Sequence, residues 1–419
     1  MRLQTRPETP PPTTAPRSRR TAALRVGAAL CCVLFAAVSC KKEVGPADRS
    51  VLVPPGGTAT PIEGWLKVEG RDIVDGQGRT VRFLGVADGR MNPGNGNQPN
   101  ECNQKWRQPR DSEYENVASF GFNVVRLGVT WANIEPVAPT VHPDGRVEHH
   151  WNEQYLTALD RAVEGFGSKG VAVILDMHQA GWSPAFNGRS DVRCEGSGMP
   201  VWMYPEAATQ KRGDVKCNFF RNEAEEGADV RPLDGFEALW RMLAERYADD
   251  ATVVAADMFN EPPTTCSGGD VADMYERIGK AIRDESPKIL LVYEDNAWTG
   301  YSKEGFLLPR PLSLPNSVYS WHFYPDTWDL GKRALQDHVD RAREWNVPLW
   351  IGEFNAFHYA TGAGYPEGWD DQVAELMAYF KSNGVSWTLW EYGHGRNSAL
   401  VDKKGKVKPE LLEALQQGF

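Results

Sequence analysis

Residues 253–262 read Val253-Val254-Ala255-Ala256-Asp257-Met258-Phe259-Asn260-Glu261-Pro262. The run is small, apolar and β-branched, and it ends in an amide, a carboxylate and a proline. Such a run reads as a strand buried on both faces. The proline ends it and leaves polar side chains at its C-terminal end. The same figure recurs outward in both directions. Upstream stand Val81–Val86, Asn123–Val129 and Val171–Met177. Downstream stand Ile289–Tyr293, Val318–Phe323, Leu349–Glu353 and Val385–Trp390. Amphipathic stretches at 111–120, 152–168, 235–249, 270–285, 329–345, 368–382 and 409–417 predict helices. Segment 295–316 is poorly helical and predicts a short or distorted helix. Gly64–Val81, with turn residues Asp75, Gly76 and Gly78, predicts a hairpin before the first strand. Eight strands alternating with helices over about 350 residues predict an α/β fold, a closed (β/α)8 TIM barrel.

The 419 residues are 41% hydrophobic and 24% charged, too apolar for a disordered chain. Net charge is −10, and six arginines fall within the first 39 residues beside one acid, Glu8. The remainder is more acidic still. That argues against nucleic acid or an anionic membrane surface as a partner, because either needs a cationic face. Residues 26–38 form an uncharged apolar run, too short to span a bilayer. With its basic flank it predicts an export signal over 1–39. Ala37-Val38-Ser39-Cys40 resembles a bacterial lipobox and predicts lipidation of Cys40. The chain is then expected to be exported and held at the cell envelope by that lipid, or otherwise secreted. Residues 40–61 read as a tether, which leaves 62–419 for the barrel. Cys31 and Cys32 leave with the signal. Cys102, Cys194, Cys217 and Cys266 permit two disulfides in three connectivities. Cys194–Cys217 is the expected pair, closing the loop after the third strand.

The polar residues fall at strand ends, where a barrel gathers them on one face. Strand two holds Arg126. Strand three ends Asp176-Met177-His178-Gln179, strand four Asn260-Glu261, strand six Trp321-His322-Phe323-Tyr324, strand seven Gly352-Glu353 and strand eight Trp390-Glu391. Glu261 and Glu353 each close an apolar strand, where an unpaired charge is costly to bury. From strands four and seven they face each other across the barrel mouth. Two carboxyls so placed can divide glycosidic cleavage between a proton donor and a nucleophile. Long connections at 87–110 and 179–234 lie on the same face. Fifteen tryptophans suit a cleft that stacks flat rings. Trp131, Trp182, Trp298 and Trp328 follow strands and are candidates for stacking, whereas Trp350 and Trp387 lie within strands and read as core. Glu294 reads as a structural partner or a rim residue, and Glu391 as a residue behind the site. There is no GxGxxG, no GxxxxGK[ST], no HExxH and no GxSxG, so no nucleotide, metal or serine-triad signature competes.

These motifs together resemble glycoside hydrolase family 5, from about Trp65 to the C-terminus. The resemblance implies Glu261 as general acid/base and Glu353 as nucleophile. It implies Arg126 and Tyr324 as donors that keep the nucleophile ionised, and Asn260 as a ligand of the sugar 2-hydroxyl. It implies His178 and His322 around the central sugar and Trp390 as its platform. The activity implied is retaining hydrolysis of a β-linked glucan, cellulase-like, with no metal or organic cofactor. The Trp131-to-Pro136 phrase, the Leu175-to-Gln179 phrase and the long third loop resemble the endoglycoceramidase-type branch, which implies a glycolipid as the alternative substrate. A non-catalytic carbohydrate-binding barrel is the reading from another class, and the intact carboxyl pair stands against it.

Overall fold

The computed structural model describes residues 57–92, 106–186, 198–207, 212–296, 305–325, 327–355, 368–393, 399–402 and 404–419. The expected export signal, Cys40, Cys102, Cys194 and Trp298 lie outside them.

Three short antiparallel strands come first, β1 (Lys67–Glu69), β2 (Asp72–Val74) and β3 (Thr80–Val81). The turn between β2 and β3 is made by Asp75, whose carboxylate accepts from the main chain of Gln77 and Arg79 and from the Arg79 side chain. The expected hairpin is therefore present, with one strand more.

Then come β4 (Leu84–Asp88), α1 (Asp111–Ser119), β5 (Val124–Val129), a one-turn α2 (Trp131–Ile134) and a small surface ribbon of β6 (Thr140–Val141) and β7 (Val147–Glu148). They are followed by α3 (Glu153–Gly167), β8 (Ala172–Met177), α4 (Arg212–Phe220), α5 (Pro232–Arg246), β9 (Val253–Asp257) and α6 (Gly268–Glu285). The chain ends with β10 (Leu290–Glu294), β11 (Ser317–Phe323), α7 (Trp328–Trp345), β12 (Leu349–Phe354), α8 (Trp369–Asn383), β13 (Ser386–Leu389) and α9 (Pro409–Gln416).

Strands β4, β5, β8, β9, β10, β11, β12 and β13 pair in that order, all parallel, and β13 closes on β4. This is the expected (β/α)8 barrel. The seam between β4 and β5 is tight: a Cβ on Gly85 would meet the Val124 carbonyl oxygen at 1.9 Å. Helix ends follow local chemistry. Asn152, Ser267 and Thr327 cap α3, α6 and α7 by accepting from main-chain N–H groups. Pro232 starts α5 three residues earlier than its amphipathic pattern suggests, since the first helical turn tolerates proline. Residues 305–316, between β10 and β11, contain no helix. Helix α4 was not expected; Gly213 and a polar first turn hide it, although Val215, Phe219 and Phe220 are buried.

Two apolar regions result. One lies between barrel and helices. The other fills the barrel's lower interior with Val124, Ile174, Val254, Leu290, Val292, Val318 and Trp350, and is closed beneath by Leu66, Ile73 and Val81 of the N-terminal sheet. Continuing up the inward faces by steps of two brings Arg126, Asp176, Glu294 and His322 into a layer above it. The apolar floor thus sets the height at which polar side chains begin.

Candidate active site

Arg126 is the centre of this layer and is wholly buried. Its Nη1 donates to Glu353 Oε1 at 2.5 Å, its Nε to Asp257 Oδ2 at 2.8 Å, and its Nη2 to Asn260 Oδ1 at 2.8 Å. Asp176 Oδ1 stands 3.1 Å from Nη2. The Tyr324 hydroxyl donates to Glu353 Oε2 at 2.8 Å. Both oxygens of Glu353 are therefore accepting, from a cation and from a phenol.

Glu261 approaches from β9 by a different route. The strand ends at Asp257, and Glu261 takes φ +48°, in the left-handed region. Its side chain is 29% exposed at the mouth. Its Oε1 lies 3.0 Å from His322 Nδ1, and the same nitrogen is 3.7 Å from Glu353 Oε2. One carboxyl oxygen of Glu261, one of Glu353 and a ring nitrogen of His322 all lie within 4.8 Å of one another. Inverting glycosidases keep their carboxyls about 6.5–9.5 Å apart, retaining ones about 5–5.5 Å. The closeness here falls on the retaining side of that divide and suits direct attack on a sugar carbon. The three donor atoms could in principle hold a metal ion. Glu261 is paired with His322, and Glu353 takes its positive charge from the Arg126 guanidinium.

The electrostatics separate the two acids. Burial raises the Glu261 carboxyl, with His178 and Arg126 partly offsetting it. Burial also pulls the His322 imidazole down to about 3, so it is neutral at working pH. Burial works against a charged His178 too, but the Asp176 carboxylate, 2.8 Å from its Nδ1, outweighs this and raises it. Asp176 itself is lowered, because Arg126 and His178 overcome its burial. Room for the His322 ring depends on Gly352: a Cβ there would meet Ser320 Oγ at 2.9 Å and His322 Nε2 at 3.0 Å.

Eight expected residues, Arg126, His178, Asn260, Glu261, His322, Tyr324, Glu353 and Trp390, meet on this one face. Asn260 is held at both ends, accepting from Arg126 and donating to the Gln179 carbonyl at 2.7 Å. Trp390 lies flat against His178, ring centres 5.1 Å apart. The additional stacking candidates fare differently. Trp131 and Trp182 are fully buried, correcting the expectation that they offer open faces. Trp131 packs on Phe236 and Trp202 and donates to Glu135; Trp182 packs on Phe219, Phe220 and Phe259 and donates to Tyr204. Both loops fold back over the barrel wall, and their indoles become its core. Trp328 is half-buried on α7, tied to Glu375 of α8 with Lys332 over its ring.

The disulfide is also corrected. Cys217 joins Cys266, not Cys194, with Cα atoms 5.1 Å apart. Helix α4 packs against α6, and this brings Cys217 to the loop between Glu261 and α6. Sequence reasoning undervalued Asp257 and Glu294. Counting β10 in steps of two from Leu290 would have placed Glu294 inside.

A family model described as Cellulase (glycosyl hydrolase family 5) matches residues 89–396. An endoglucanase of Paenibacillus polymyxa is 24% identical over 384 residues, covering 80% of this chain and 82% of the relative. Endoglycoceramidase I of Rhodococcus hoagii is 24% identical over 400 residues, covering 86% and 73%. Among solved structures, the crystal structure of an endogalactoceramidase superposes with a TM-score of 0.65 at 21% identity, covering 84% of each chain. Endo-glycoceramidase II from Rhodococcus sp., as its lactosyl-enzyme intermediate, superposes with a TM-score of 0.64 at 21% identity, covering 84% of this chain and 80% of that one.

Proposed function

The chain belongs to glycosyl hydrolase family 5, and from that premise we propose that it cleaves a β-linked glucan with retention through a covalent intermediate on Glu353. It is a glycoside hydrolase. The observation that carries the mechanism is the approach of the Glu261 and Glu353 carboxyl oxygens to within 4.8 Å.

In the first step a Glu353 oxygen attacks the anomeric carbon, and Glu261 gives its proton to the departing glycosidic oxygen. Burial supports Glu261 in that role by favouring its protonated form. Arg126 and Tyr324 orient the attacking carboxylate. Once the ester forms, the negative charge on Glu353 is gone, and Glu261 ionises more readily. It then takes a proton from water, which attacks the same carbon and frees Glu353. In this reading Asn260 binds the sugar 2-hydroxyl, and Trp390, stacked on His178, carries the sugar ring. Nothing in this cycle calls on a metal or an organic cofactor.

Glu353→Gln is expected to lose several orders of magnitude in kcat, whereas a sugar-binding barrel would keep its binding. Glu261→Ala should still form the intermediate from an activated aryl glycoside, and azide should then release a β-glycosyl azide. An α-azide would reverse the two roles.

A glycolipid is the second candidate substrate, favoured by the likeness to endoglycoceramidase I of Rhodococcus hoagii over 86% of this chain. Product analysis on cellulose, mixed-linkage glucan, mannan, xylan and gangliosides decides between them. Export and a lipid on Cys40 are part of the same proposal and rest on the basic, apolar and Cys-terminated run of residues 1–40. Among the described residues, no helix is long and apolar enough to cross a membrane. Cys40→Ala should move the protein out of the membrane fraction; unchanged partitioning refutes the anchor.

A further inference from the structure

Glu294 ends β10 and continues the inward face that Leu290 and Val292 begin. It is fully buried, below the pit that holds the sugar-facing carboxyls. Its Oε1 stands between two parts of that pit. It accepts the Glu261 main-chain N–H at 3.2 Å and lies 3.2 Å from His322 Nε2. The Glu261 backbone needs such support. A glutamate adopts φ +48° only where its surroundings impose it, at a cost of about 1–3 kcal/mol. On its other side, Gln179 Nε2 donates to the Glu261 carbonyl at 3.1 Å.

We infer that Glu294 is a positioning residue for the acid/base, fixing the Glu261 main chain from beneath the sugar pit. The inference rests on the reading of Glu261 as acid/base.

The charge state of Glu294 follows from its neighbours. Its carboxyl is faced by Arg126 on β5, Asp257 on β9, His322 on β11, Glu353 on β12 and Glu261 itself. From α6, Tyr275 donates to its main-chain carbonyl at 3.2 Å. One guanidinium serves four carboxyls, at 2.5 Å for Glu353, 2.8 Å for Asp257, 3.1 Å for Asp176 and 4.0 Å for Glu294. Burial, with the Asp257 carboxylate beside it, pushes the Glu294 carboxyl well above the carboxylate range, and the Arg126 charge 4.0 Å away only partly offsets this. A neutral Glu294 holds the Glu261 amide without setting a second negative charge behind an acid that must itself ionise midway through the reaction.

Two variants test this on 4-nitrophenyl and 2,4-dinitrophenyl β-cellobioside. Glu294→Gln keeps a neutral acceptor of the same length. It is expected to stay within about threefold of wild-type kcat with an unmoved pH profile. Glu294→Asp withdraws the acceptor by one methylene. It should lower kcat on the poorer leaving group by about 10–100-fold, with KM within about twofold. It should also move the alkaline limb of kcat/KM to lower pH, because Glu261, freed from its hold, gains water. Loss in Glu294→Gln equal to that in Glu294→Asp would overturn the inference, since the group would then act by its charge or its proton. So would a Glu294→Asp enzyme with wild-type kcat and profile and only a lowered Tm. A wild-type protein inactive on every β-glycoside tried would instead sink the hydrolase reading, and this inference with it.

Discussion

Arg126 carries more of this site than either carboxyl does. It touches Glu353, Asp257, Asp176 and Asn260 at once, with no exposure to water. Removing a buried cation strands the anions around it, which costs about 3–5 kcal/mol. Arg126→Met should therefore lose stability of that order as well as activity, and urea unfolding checks it; an unchanged midpoint would mean that the surrounding carboxyls reprotonate without strain. The role of Arg126 was legible through the resemblance to glycoside hydrolase family 5, which sets it beside Glu353. The identity of most partners was not, because they come from three other strands. Trp131 and Trp182 show the opposite failure. Their position after strands is right for a cleft, yet nothing local distinguishes an indole that lines a groove from one that folds back to fill the wall.

At the level of elements, the eight strands were legible because each is an apolar run buried on both faces and ended by polar residues. Helix α4 was not, since its buried positions are few and its first turn is polar. The consequence was the disulfide. Its pairing depends on α4 lying against α6, a tertiary fact, so spacing alone suggested the wrong partner. Cys217 and Cys266 are 49 residues apart. Closing a loop of that length restricts the unfolded chain by about 4 kcal/mol. Reduction, or Cys266→Ser, should lower the urea midpoint accordingly. It should also lower activity, because the loop that Cys266 anchors begins at Glu261. Strand β12 makes a second test. Gly352→Ala puts a methyl 3.0 Å from the place His322 Nε2 occupies. It should cost roughly 10–100-fold in kcat with little change in KM; wild-type kinetics would mean that the ring has slack.

For the whole molecule, the buried layer makes stability depend on pH in two opposite senses. Asp176 is lowered in the fold, so its contribution is present above about 3.9, the unfolded aspartate value, and is lost as acid protonates it. Glu294 is raised, so the folded state holds its proton more tightly than the unfolded chain does. Its contribution is complete below about 4.3 and is lost as pH climbs toward the folded value. Glu294→Gln carries no such proton. Its stability relative to wild type should rise between pH 5 and pH 8, as urea midpoints at the two pH values will show; a constant difference would mean that Glu294 is ionised throughout. His178 adds to the same trend, since its raised imidazole favours the fold most below about 6.5.

A single cation shared among four carboxyls also constrains how such a barrel can change over generations. A mutation that neutralises Asp257, whose carboxyl burial raises to about 7, alters the share of Arg126 left to every other member of the layer. Positions 176, 257 and 294 should therefore be coupled by epistasis, although all three are buried. Divergent descendants should exchange them in compensating combinations. A library that varies them one at a time would miss most of the functional variants that varying them jointly would recover.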